Sequence, residues 1–264
     1  MKQKIVSQIT TECPWRDTLY WYDTIGSTNT RAKELAKEGA PHGSVVIAGS
    51  QTGGRGRMGR SFSSPKGMGV YLSVILRPGC TPDKLMHLTC AAGIAGRNAV
   101  EKVSGIAPDI KWANDLVCGK KKLGGILTEL GFSGSLVDYA VVGIGINCCQ
   151  RNADFPEDIR QIATSLQEQT GSPCSTTLLA AALTEELYEM DKKLFSHKHQ
   201  LMEDYRRCCI TIGKDISLLQ ADTVTHGTAL DVDNDGALMV RFPDGNTKAV
   251  SFGEVSVRGM YGYL

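Results

Sequence analysis

The chain has 264 residues, 42% hydrophobic and 22% charged, with a formal net charge of +1. That length and composition fit a soluble protein of one large domain, or a large one plus a small one. A near-neutral balance excludes global attraction to nucleic acid or an anionic membrane, so any basic site must be local.

No apolar run approaches the roughly 20 residues of a membrane span, and the start at Met1 lacks an apolar signal core. A cytoplasmic location is expected. The nine cysteines are an odd number without a Cys-x-x-Cys. Reduced thiols are therefore expected rather than a disulfide framework or a zinc site. The five histidines are scattered, and no His-Glu-x-x-His occurs.

Leu19, Tyr20, Trp21 and Tyr22 form a short β-prone run, read as a strand. Ser27 or Thr28 then suits the N-cap of a helix with Ala32, Leu35 and Ala36 on one face. On these residues alone, the Ser-Thr-Asn stretch can be nothing more than a cap. About twenty residues precede the first strand, too few for a folded helix-turn-helix domain. Residues 44–48 read as a buried strand feeding a loop over 50–60, Ser-Gln-Thr-Gly-Gly-Arg-Gly-Arg-Met-Gly-Arg. Its glycines permit close approach of a ligand to the main chain. Its arginines offer fixed charge to carboxylate or phosphate. Such a loop should be mobile when empty and order on a ligand.

A turn at 63–67 leads to a strand over 70–76, and 84–103 reads as a long helix weakened by Gly93 and Gly96. A short strand ending at Lys111 runs into a polar turn at Asn114 and Asp115. Segments 122–130 and 138–147 look like an antiparallel pair. Their glycines at 124, 125, 143 and 145 make sense if a backbone or ligand lies against that surface. Helices are expected over 176–208, with Leu178, Leu179, Ala182, Leu183, Leu187 and Met190 as an apolar stripe. From Gly213 the pattern turns to short runs punctuated by Asn234-Asp235-Gly236 and Pro243-Asp244-Gly245, as in a small SH3-like barrel. The expected division is 1–212 and 213–264.

Gly54-x-Gly56-x-x-Gly59 literally matches a dinucleotide fingerprint, but a turn and a strand follow it where that motif needs a helix. No P-loop is present. The alternative is an anion site built from side-chain charge: Arg55, Arg57 and Arg60 in the loop, with Lys111 and Lys122 at strand ends. Asp115 could hold magnesium on a polyanion there. Lys120 and Lys121 suit a solvated turn, and Lys122 suits a solvated turn and the anion site equally.

Taken in order, four segments resemble the biotin protein ligases: Ser27-Thr28-Asn29, residues 54–60, Lys111-Trp112-Ala113-Asn114-Asp115, and residues 122–127. The strand 142–147, Ala163-Thr164-Ser165-Leu166 and residues 253–258 are similar as well. The resemblance covers the chain from about Tyr22 onward. One departure is Ala113, where the family usually has proline. This leaves the lysine and the acid in place.

The resemblance implies an α+β, class II synthetase-like catalytic domain, a mixed β-sheet flanked by helices, plus the SH3-like domain. It implies ATP and biotin as substrates with Mg2+, a biotinyl-5′-adenylate intermediate, and transfer to a lysine of a biotin carboxyl carrier domain. Ser27, Thr28, Asn29 and Gln51 would serve biotin's ureido end. Gly54 and the backbone of Arg55, Gly56 and Arg57 would wrap its carboxylate end. Lys122 would bind that carboxylate beside Gly125. Arg57, Lys111 and Asp115 would face the triphosphate and magnesium, and Arg60, Phe62, Asn114, Asn147 and Arg258 would lie on the nucleotide side. A monofunctional ligase without an N-terminal DNA-binding domain is expected, as monomer or homodimer, with no membrane or DNA partner. The alternatives are a lipoate- or octanoate-type ligase of the same fold, a bifunctional ligase-repressor, and a non-catalytic phosphate-binding module.

Overall fold

The computed structural model describes residues 1–220, 223–251 and 256–259, the last four by their backbone path alone. A seven-stranded mixed sheet carries the larger part. Its strands are β1 (Leu19–Tyr22), β2 (Ser44–Ala48), β3 (Gly69–Leu76), β4 (Asp109–Lys111), β5 (Asp115–Cys118), β6 (Lys121–Ser133) and β7 (Leu136–Asn147), in the order β1-β2-β3-β7-β6-β5-β4. Only β1 and β2 run parallel; every other neighbouring pair is antiparallel.

The strand period of two divides the sheet into two faces. Val70, Leu72, Val74 and Leu76 of β3 join Ala140, Val142, Ile144 and Ile146 of β7 in the main core. Helix α3 (Leu88–Ser104) and helix α5 (Thr176–Lys193) cover that face. On the other face, helix α2 (Thr28–Lys37) buries Ala32, Leu35 and Ala36 against Val46, Ile75 and Val141. The rest of that face, with Tyr71, Ser73, Gly143, Gly145 and Asn147, is left for the site.

Several boundaries depart from the sequence reading. A short helix α1 (Lys2–Val6) and a 3₁₀ turn (Pro14–Thr18) precede β1. The helix expected from 84 starts at Leu88, because Pro82–Leu85 forms its own 3₁₀ turn. Leu178, counted in the apolar stripe of α5, is 47% exposed, whereas Leu179, Leu183 and Leu187 are buried. It stands one residue off the stripe, near the helix start.

Helix α4 (Leu166–Thr170) and helix α6 (Lys198–Cys208) complete the helical part. Five strands follow: β8 (Asp215–Gln220), β9 (Thr223–Val232), β10 (Leu238–Arg241), β11 (Thr247–Val250) and β12 (Ser256–Gly259). They form a second, antiparallel sheet in the order β11-β10-β9-β8-β12. Gly253, Glu254 and Val255 lie outside the described residues, as does the side chain of Arg258. Among the described residues no helix is long and apolar enough to cross a membrane.

Candidate active site

A cavity of about 600 Å³ opens over strands β3, β7 and β6. That is within the roughly 300–1,000 Å³ common for small-ligand sites. Its floor is made possible by missing side chains. A Cβ on Gly145 would stand 2.6 Å from the Phe62 ring, and one on Gly143 would stand 1.8 Å from Asn29 Oδ1. The glycines expected to face a ligand or backbone thus admit two side chains of the site itself. A Cβ on Gly124 would meet backbone, 2.4 Å from Gly145 O.

One end of the cavity is neutral and closely bonded. Ser27 is the N-cap of α2, yet its hydroxyl makes no capping hydrogen bond. Capping alone therefore does not explain the Ser-Thr-Asn stretch. Thr28 N donates to Gln51 Oε1 at 2.8 Å, and Gln51 Nε2 donates to Ser64 Oγ at 2.8 Å. Asn29 Nδ2 donates to Leu127 O at 3.1 Å and to Glu129 Oε2 at 3.0 Å. Thr28 and Asn29 are each 4% exposed and Ser73, beneath them, is 0% exposed.

The loop that enters from β2 closes over this end. Gly56 N donates to Arg60 O at 2.7 Å and Phe62 N to Gly54 O at 2.9 Å, so residues 54–62 fold back on themselves. The tip turns through Met58 at φ 52°. A Cβ on Gly54 would lie 2.3 Å from Phe62 O and 2.7 Å from Ser64 Oγ, which is why this position needs glycine. Arg55 reaches out of the loop to Glu129 at 3.0 Å, and Lys33 meets the same carboxylate at 2.7 Å. Burial works against the charge of Glu129. Even so, hydrogen bonds from Lys33 and Asn29 and the charge of Arg55 hold its carboxyl below the usual range.

The other end is cationic. Lys122 Nζ donates to Asp115 Oδ1 at 2.6 Å, and Arg57 Nη1 donates to Asn114 Oδ1 at 2.9 Å. Burial lowers the pKa of the Arg57 guanidinium, and Asp115 opposes that shift. Lys111, at the end of β4, is only 6% exposed. The turn between β4 and β5 is gripped from outside: Trp112 N donates to Thr211 Oγ1 at 2.9 Å, Trp112 Nε1 to Gly236 O at 2.9 Å, and Tyr205 OH to Ala113 O at 3.2 Å. The Trp112–Ala113 peptide is cis.

Of the residues expected at the site, all but Gly54 and Arg258 stand on the cavity wall. Gly54 lies just behind it, and the side chain of Arg258 is outside the described residues. Sequence reasoning missed a roof made by Phe155, Ile159 and Ile162, and also Ser73 and Glu129, which are off the cavity wall and bond Asn29. The roof is tied down where Lys122 N donates to Ile162 O at 2.7 Å and Asn147 Nδ2 to Thr164 O at 3.0 Å.

Residues 21–147 match the biotin/lipoate A/B protein ligase family, and residues 211–258 match the biotin protein ligase C terminal domain. The chain is 33% identical over 236 residues to the biotin–[acetyl-CoA-carboxylase] ligase of Mycobacterium tuberculosis, covering 87% of this chain and 85% of that one. The chain belongs to the biotin protein ligases. It is also 35% identical over 240 residues to the bifunctional ligase/repressor BirA of Bacillus subtilis, covering 88% of this chain and 72% of that protein. Among solved structures, the biotin protein ligase of Aquifex aeolicus in complex with biotin and ATP superposes with a TM-score of 0.78 at 29% identity. It covers 92% of this chain and 99% of that one. In this family member, then, the neutral and cationic ends share one cavity, closed by one loop.

Proposed function

We propose that this chain activates biotin with ATP to biotinyl-5′-adenylate and passes the biotinyl group to a lysine of a biotin carboxyl carrier domain. The observation that carries the reading is the pairing of two unlike ends in one cavity. A neutral set around Thr28 and Gln51 suits a ureido ring, and Arg57, Lys111 and Lys122 suit a carboxylate meeting phosphate.

In the first step a biotin carboxylate oxygen attacks the α-phosphorus, and pyrophosphate leaves with the bonding electron pair. Two anions must approach one another. Lys122 reaches the carboxylate and then the adenylate's phosphate through its further N–H donors, and Arg57 and Lys111 balance charge growing on the leaving group. The loop of residues 54–62 holds the acid in line, since positioning contributes much of such a rate. In the second step the carrier's amine attacks the acyl carbon, loses its proton, and AMP leaves.

Phe62, edge-on to Tyr71 at a centroid distance of 6.4 Å, offers a ring for the adenine. Asn114, Asn147 and Arg60 complete the nucleotide side in this reading. Among the described residues no three His, Cys, Asp or Glu side chains gather as metal ligands. A single carboxylate, Asp115, fits a magnesium ion that arrives with the nucleotide, because hard cations accept phosphate oxygens for the remaining positions. The ion would supply charge neutralisation.

Incubation with biotin, ATP and magnesium, read by mass spectrometry beside lipoate as the competing acid, tests the reading. Biotinyl-adenylate is the expected product. Lipoyl-adenylate formed at an equal or greater rate would transfer the reading to the lipoate ligases of the same fold.

A further inference from the structure

Three of the nine cysteines meet where strand β7 ends, and all nine are free thiols. Cys148 and Cys149 follow Asn147 directly, and Cys174 stands just ahead of Ser175, the N-cap of helix α5. Cys149 Sγ donates to Cys174 O at 3.4 Å, so that thiol is turned to the main chain. The Cys148 thiol instead makes a hydrogen-bond contact with the Cys174 thiol. It is fully buried and also lies 3.6 Å from Ile146 O. Cys174 is partly exposed. One sulfur of the pair is thus open to a small reagent, and the other stands behind it.

The two thiols differ in reactivity too. The contact with Cys148 holds the Cys174 thiol below its usual value, and the positive end of α5 beside it favours the same thiolate. That contact and burial push the Cys148 thiol up. Between the two sulfurs, residues 149–173 carry Phe155, Ile159 and Ile162, the roof of the cavity. Hydrogen bonds hold this stretch down: Gln167 N donates to Cys148 O at 2.8 Å, Ser165 Oγ to Gln150 O at 2.6 Å, and Lys122 N to Ile162 O at 2.7 Å.

We propose that Cys148 and Cys174 form a redox pair: a peroxide joins them in a reversible disulfide, which closes the roof segment into a covalent loop. The Cys174 thiolate attacks one peroxide oxygen, and the O–O bond breaks. The hydroxide that leaves takes up the proton that Cys174 gave up, and Cys174 becomes a sulfenic acid. The Cys148 sulfur then attacks that sulfur. The S–S bond forms, the S–O bond breaks, and the departing hydroxide takes the Cys148 proton. Two thiols are oxidised, and one peroxide is reduced to two waters. A dithiol reductant reverses the bridge by exchange.

Hydrogen peroxide in few-fold excess over the full chain, followed by alkylation of free thiols, trypsin and mass spectrometry, tests the pairing. Trypsin yields peptide 123–151, with Cys148 and Cys149, and peptide 161–192, with Cys174. The expected product joins the two, lighter by two hydrogens and with Cys149 alkylated, and dithiothreitol separates them. Cys149→Ser should still form it, whereas Cys148→Ala and Cys174→Ser should not, and melting temperatures show that these variants are folded. The roof is read by trypsin on the folded protein. Cleavage after Arg160, which is partly exposed, should be several-fold slower in the bridged form, and Cys174→Ser treated alike should show no change. A Cys174 that stays free, runs on to sulfinic acid, or bridges to Cys149 would overturn the pair. An unchanged cleavage rate at Arg160 would overturn the fastening of the roof. No ligand is added, so the result does not depend on what the cavity binds.

Discussion

The two ends of the cavity are built by opposite means. Around Thr28 the side chains of Thr28, Asn29, Gln51 and Ser73 are neutral and bonded to one another. Around Lys122 they are charged, and Lys122 is paired with Asp115 at 2.6 Å, with further N–H donors of the ammonium group to offer a ligand. A prearranged neutral end contributes equally to ground and transition states, whereas charges that re-partner during the reaction contribute to its rate. The comparison predicts which kinetic constant each end controls.

The largest effect belongs to the charged end. Lys122→Ala should lower adenylate formation by about 10²–10³-fold, the range seen when one stabilising donor is removed. Biotin affinity should move far less. Pyrophosphate exchange near the wild-type rate would break the comparison outright. At the neutral end, Thr28→Val keeps the shape but removes the hydroxyl. It should raise the KM for biotin about tenfold or more with kcat little changed. A fall in kcat with an unchanged KM would put Thr28 in the wrong half.

Gly54→Val tests the loop that joins the ends. Its Cβ would meet Phe62 O at 2.3 Å, so the fold-back of residues 54–62 must open. Free adenylate should then escape several-fold faster, as read by the rate at which labelled adenylate leaves the protein. Retention equal to wild type would show that the loop does not hold the intermediate.

The smallest effect is a pH dependence at Glu129. Its carboxyl is held below the usual range, so its pairing stabilises the fold above the ordinary value of about 4.3 and is lost as pH falls through the lower folded value. The melting temperature of wild type should therefore drop more steeply than that of Glu129→Gln as pH falls from about 5 to about 3. Parallel curves would mean that Arg55, Lys33 and Asn29 gain nothing from that charge.

The charged end was legible in the sequence because lysine, arginine and aspartate announce themselves at strand ends and in a glycine-rich loop. Ser27, Thr28 and Gln51 were found through the resemblance rather than through their own pattern. Ser73 was not found. It sits inside the apolar run Val-Tyr-Leu-Ser-Val-Ile-Leu, and only the two-residue alternation of β3 puts it with Tyr71 on the site's face. Glu129 was hidden for another reason. Its partners Asn29, Lys33 and Arg55 are 74 to 100 residues away, and sheet register rather than spacing brings them together. The roof over Lys122 comes from a stretch around residue 160 with little regular structure, whose periodicity carries no signal.

Trp112 gives the protein an optical reporter of its own. The residue lines the cavity and is 4% exposed, and its indole N–H is held by Gly236 in the turn between β9 and β10. The other two tryptophans sit elsewhere, Trp15 edge-on to Tyr188 and Trp21 hydrogen-bonded to Asp23. Replacing those two with phenylalanine would leave an emission spectrum that follows the filling of the phosphate end. The same spectrum would follow the grip of the β9–β10 turn on that end.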